Sequence, residues 1–137
     1  FDADLELSAG SLDVVGDFGT LKAEVGAGAL TVSGSATTVD ADVSAGRAEI
    51  DLENVDEADL SVSAGRLVAD LTGTAPDTVM IDVSAGSLQL TVPDEAYDVR
   101  SDVSAGSFDN RVEVSSASPY SITATVSAGS ASVDAGD

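Results

Sequence analysis

The chain has 137 residues, with 25 acidic and 5 basic side chains, a formal net charge of −20, and no His or Cys. This balance argues against nucleic-acid binding, which needs basic patches, against anionic membrane surfaces, and against thiol, soft-metal or His-based triad chemistry. Hydrophobic residues make up 43%, too many for a disordered acidic tail, and no apolar run reaches the length of about 18 residues that suggests a membrane span.

Self-repulsion at this charge destabilises a compact state at ordinary salt. At molar salt the screening length falls to about 3 Å. A halophilic source is therefore expected; the alternative is an acidic extracellular domain that uses divalent cations. The chain opens on Phe1 rather than Met, which suggests a processed form or an excised piece.

Reading in order, the tripeptide Ser8-Ala9-Gly10 comes first. It returns at Ser44-Ala45-Gly46, Ser63-Ala64-Gly65, Ser84-Ala85-Gly86, Ser104-Ala105-Gly106 and Ser127-Ala128-Gly129, with Gly26-Ala27-Gly28 filling the one gap. A fixed period of this size means a repeat architecture, and it runs from end to end, so residues 1–137 form one domain. Three positions before each glycine stand Leu7, Val25, Val43, Val62, Val83, Val103 and Val126. Two before those are Leu5, Ala23, Ala41, Leu60, Ile81, Ser101 and Ala124. After the glycine, the second residue is Leu12, Leu30, Ala48, Leu67, Leu88, Phe108 or Ala131, and the fourth is Val14, Val32, Ile50, Ala69, Leu90, Asn110 or Val133. Apolar sites two apart are strand periodicity. Each unit reads as strand, corner, strand, loop.

These observations predict an all-β fold: a single-domain β-solenoid, or β-helix, of about seven rungs, with a right-handed coil preferred. A β-prism or sandwich of hairpins is the rival, because the same tripeptide could join antiparallel strands. Glycine is expected at the corner for its positive φ, alanine for the inside of the bend, and serine for bonds to local backbone or to the next serine. The polar position four before each corner glycine, Glu6, Glu24, Asp42, Ser61, Asp82, Asp102 and Thr125, should form an outward column.

Acidic pairs are too widespread to mark a catalytic dyad, and no enzyme activity or resident cofactor is expected. Calcium, which takes about 6–8 oxygen ligands, is the cation to consider. The candidate ligands are Asp40 with Asp42; Asp56 with Glu57 and Asp59; and Asp94 with Glu95 and Asp98. Arg47 and Arg66 both follow a corner glycine and should stack, giving either local charge compensation or a partner patch.

Units such as Asp82-Val83-Ser84-Ala85-Gly86-Ser87-Leu88 and Asp102-Val103-Ser104-Ala105-Gly106-Ser107-Phe108, with the linker Leu90-Thr91-Val92-Pro93-Asp94-Glu95-Ala96-Tyr97-Asp98-Val99, resemble the adhesin-type repeat domains, also called toastrack domains, of prokaryotic cell envelopes. The resemblance covers nearly the whole chain and implies a β-solenoid attached to the cell surface or to membrane proteins. The expected function is structural: an extracellular or cell-surface adhesin, spacer or filament subunit that self-associates end to end, since no amphipathic helix caps either end. The alternative is an envelope-stress signalling accessory domain that binds a membrane protein partner.

Overall fold

The computed structural model describes residues 2–73, 76–93 and 95–136. They form nine strands: β1 (Asp2–Leu7), β2 (Ser11–Val25), β3 (Ala29–Val43), β4 (Arg47–Glu53), β5 (Glu57–Thr72), β6 (Thr78–Pro93), β7 (Ala96–Asn110), β8 (Glu113–Val114) and β9 (Ser121–Gly136). Every pairing is parallel. The result is a β-solenoid of about seven turns. Parallel pairing rules out the hairpin rival, whose consecutive strands would be antiparallel.

The columns stack as the sequence alignment predicts. Leu7, Val25, Val43, Val62, Val83, Val126 and Val103 follow one another through the ladder. The core is a thin filling of Ala, Val, Leu and Ile, with no buried polar or charged residue among the described residues. Phe18 and Tyr97 are the aromatic residues buried in it among the described residues; elsewhere small and branched side chains fill the narrow space between the facing arms of each turn.

The spatial order of the turns differs from the order in the chain. The sheet runs β1-β2-β3-β4-β5-β6-β9-β7-β8. After β6 the chain climbs past one level, forms β7, and then returns so that β9 fills the space between them. Three features of the sequence favour this arrangement. First, β7 carries Ser101 and Asn110 at inward positions, where β9 carries Ala124 and Val133. Placing β7 at the end keeps those polar groups at the edge of the core, where Asn110 Oδ1 accepts a hydrogen bond from Val112 N at 3.0 Å. Second, Thr125 of β9 separates Asp82 from Asp102, which would otherwise be direct neighbours of like charge. Third, Tyr97, fully buried, fills the interior where the chain climbs; its hydroxyl donates to Pro93 O at 2.8 Å and its ring meets Tyr120 at 5.9 Å. Ser118 fixes the return by donating from Oγ to Ala96 O at 2.7 Å. β7 is thus a polar end turn, of the sort that solenoids require, with β8 pairing over Ala96 and Tyr97.

The corner also differs from expectation. All seven corner alanines, Ala9, Ala27, Ala45, Ala64, Ala85, Ala105 and Ala128, are exposed, as are the six corner serines. They lie on the outside of the bend, and among the described residues those serines make no side-chain hydrogen bond. The glycine has a steric reason that periodicity did not reveal. A Cβ on Gly46 would lie 2.5 Å from Gly28 O, and one on Gly86 the same distance from Gly65 O. Positive φ is not shared by the whole column: Gly86 has φ 146°, while Gly46 and Gly65 are not in that region. The close approach of successive corners is the common cause. Gly16 and Gly34 repeat the device in a second column, and the Phe18 ring packs against Gly16.

Candidate functional surfaces

Because the interior is apolar, every chemistry-bearing side chain stands on the lateral surface or at an end. Each outward column is spaced at about 4.7–4.9 Å per turn. Two columns bear on the calcium candidates. One runs Asp4, Lys22, Asp40, Asp59, Met80, Thr123, Arg100; the other runs Glu6, Glu24, Asp42, Ser61, Asp82, Thr125, Asp102.

Asp40 and Asp59 are thus adjacent, with Lys22 beside Asp40 on the other side, and Asp42 lies two residues along the same face. Partial burial, followed by the carboxylates of Asp40, Asp82 and Asp42, pushes the Asp59 carboxyl above the usual carboxylate range. The group is short of compensating charge. Asp56 is exposed, and its backbone carries the turn connections: Asp56 N donates to Thr37 O, and Asp77 N donates to Asp56 O at 2.7 Å. Glu57 faces Thr38 and Thr78. At the third candidate, Asp98 pairs with Arg100 at 3.6 Å, Glu95 is exposed, and Asp94 lies outside the described residues. Among the described residues, no three acidic side chains converge in a way that could hold a metal ion.

Arg47 and Arg66 do stack, on consecutive turns. Neither forms an ion pair among the described residues. Arg66 stands at the edge of a shallow trough of about 420 Å³, whose other walls include Ser87, Gln89, Ser107, Ser130 and Ser132. Short serines beside long neighbours create the depression. Sequence reasoning found the arginine pair but not the trough, although Ser87, Ser107 and Ser130 follow their corner glycines as the arginines do and continue the same column. A second, acidic hollow of about 310 Å³ is lined by Asp17, Ser33, Ser35, Asp51, Glu53 and Asn54. There Ser35 Oγ donates to Asp17 Oδ1 at 2.8 Å.

The basic residues are unevenly placed. Arg100 and Arg111, two of the chain's five, belong to the β7 end. Arg111 bridges Asp109 at 3.0 Å and Asp134 at 3.4 Å. Comparison with protein-family models, with curated proteins and with solved structures finds no match in any of the three.

Proposed function

We propose that this chain is a structural β-solenoid of the cell surface or extracellular space, acting as spacer or adhesin module in a high-salt environment. The observation that supports this is the division of the molecule into an apolar core and polar lateral columns in which acids far outnumber bases, as in Glu6–Glu24–Asp42. Such a rod presents a largely hydrated lateral surface, which suits a spacer. Its charge suits molar salt, where repulsion between like columns is screened. The resemblance to toastrack-type adhesin repeats, carried by the Asp-Val-Ser-Ala-Gly-Ser units, points the same way. Antibody labelling of intact cells of the producing organism is the test. Labelling of intact cells supports the surface assignment; labelling only after permeabilisation overturns it.

A second reading, an accessory domain that binds a membrane protein partner, is favoured by the exposed Arg47–Arg66 pair beside the serine-lined trough. Capture of a membrane protein that is lost in the Arg47→Glu, Arg66→Glu double variant supports that reading. Capture that is unchanged in the variant removes the patch from it.

A further inference from the structure

We propose that the trough beside Arg66 binds a strand of acidic polysaccharide lying along the solenoid axis, with a sugar carboxylate held between Arg47 and Arg66. The proposal rests on the adhesin reading and names what such a module would hold.

Charge sets this trough apart from the rest of the surface. Three other hollows each carry three carboxylates, as in the one with Asp40, Glu57 and Asp59. The trough, of about 420 Å³, has one, Asp109, and Arg111 holds that carboxylate at 3.0 Å. Arg111 also meets Asp134 at 3.4 Å. At the opposite end stands Arg66, with Arg47 beside it on the preceding turn. Both arginines are exposed, and neither has an ion pair or a side-chain hydrogen bond among the described residues. Glu49 lies two residues from Arg47 on the same exposed face, yet the two do not pair. Like charges on neighbouring strands repel. A carboxylate placed between them removes that repulsion, and the planar guanidinium fork can grip it through two hydrogen bonds.

The floor of the trough selects the rest of the ligand. From Arg66 the column continues through Ser87, Ser130 and Ser107, three ladder steps or about 14 Å. Gln89 and Ser132 run beside it. None of these five side chains makes a hydrogen bond among the described residues. Hydroxyl and amide groups both donate and accept, which matches a chain of sugar hydroxyls. An extended acidic peptide fits less well. Its main chain gains affinity by adding to a free strand edge, and the strands beneath the trough already pair with each other.

Calorimetry on the purified chain in about 1 M potassium chloride, where general repulsion is screened, tests this with three probes. One is an oligogalacturonate. The second is its methyl ester, which keeps the chain without the charge. The third is an oligoglutamate, which keeps the charge without the hydroxyls. The oligogalacturonate is expected to bind, and each of the other two at least about tenfold more weakly, the effect of one charge-assisted contact. Arg47→Gln with Arg66→Gln should weaken oligogalacturonate binding by about tenfold or more. Lys22→Gln with Arg100→Gln changes the net charge equally, away from the trough, and should leave binding unchanged. Ser130→Val should weaken it by about threefold, the effect of one neutral hydrogen bond. No binding of the oligogalacturonate, or equal loss in the two double variants, would overturn the site. Oligoglutamate binding as tightly as oligogalacturonate would overturn the polysaccharide and indicate an acidic peptide instead. Either failure leaves the surface reading standing, because cell labelling decides that separately.

Discussion

At the scale of single residues, the corner glycines and Asp59 make opposite demands. A Cβ at Gly65 would be driven against the Gly46 carbonyl, and backbone cannot swing aside as a long side chain can. Gly65→Ala should therefore cost about 1–3 kcal/mol, the range for overpacking. Ala64→Ser, one residue away on the exposed outside of the bend, should fall within about 0.5 kcal/mol of the parent. Denaturant midpoints measured at one high salt concentration compare the two; equal losses would defeat the close-approach account. Asp59 tests electrostatics instead. Its folded-state carboxyl is raised, first by burial and then by Asp40, Asp82 and Asp42. The folded state thus holds its proton to higher pH than the unfolded chain does. Stability falls as pH rises from the unfolded value through the folded one, and the penalty is fully present above that. Asp59→Asn should raise the melting temperature at neutral pH and make no difference below the unfolded carboxylate range. Salt should shrink the part due to neighbouring charges more than the part due to burial.

At the scale of strands, the inserted β9 is the feature to test. β9 is paired on both edges, to β6 and β7, whereas the outer edge of β7 is open from Asp98 to Asn110 among the described residues. Amide exchange should therefore be slower in residues 122–133 than in residues 99–108, the reverse of what stacking in chain order gives. Side-chain changes make the same distinction. Ala124→Ser places a hydroxyl in a fully enclosed column and should cost about 1–3 kcal/mol, while Ser101→Ala on the end turn should be close to neutral. The repeat itself was legible, since an apolar residue, Leu7 or a valine, three residues ahead of every corner glycine fixes period, inward face and register together. The order of the last turns was not. The glycine spacings of 20 and 23 residues flanking Gly106 give no sign of climbing two levels and returning by one. The sign was present in another form, in Ser101 and Asn110 breaking two otherwise apolar columns, and in Tyr97 and Tyr120 in a chain with almost no aromatics. The surfaces were legible only in part: the Arg47–Arg66 stack followed from register, and the same register continues into Ser87, Ser130 and Ser107, but the depth of the trough depends on the side chains around them.

At the scale of the molecule, the governing quantity is a net charge of −20 on 137 residues. The acids are not offset locally. Among the described residues only Arg100 and Arg111 form ion pairs, and both guanidinium side chains are exposed, so such pairs contribute about 0–1 kcal/mol each. What holds the rod together is apolar burial and the parallel ladder, and what opposes it is repulsion along columns such as Glu6–Glu24–Asp42. Screening weakens that repulsion as the Debye length drops from about 10 Å at 0.1 M salt to about 3 Å at 1 M. Burial is not weakened by such salts and is strengthened by sulfate-like ones. The unfolding midpoint should therefore climb steeply between about 0.1 M and 1 M potassium chloride. End-to-end self-association would add a stabilisation of its own, and it can be separated because it makes the midpoint depend on protein concentration. A midpoint that rises with salt at every dilution reports screening within one copy. A rise that vanishes on dilution reports assembly instead. A midpoint indifferent to salt would mean that the acidic columns are not what limits stability, and the case for a high-salt origin would lose its physical basis.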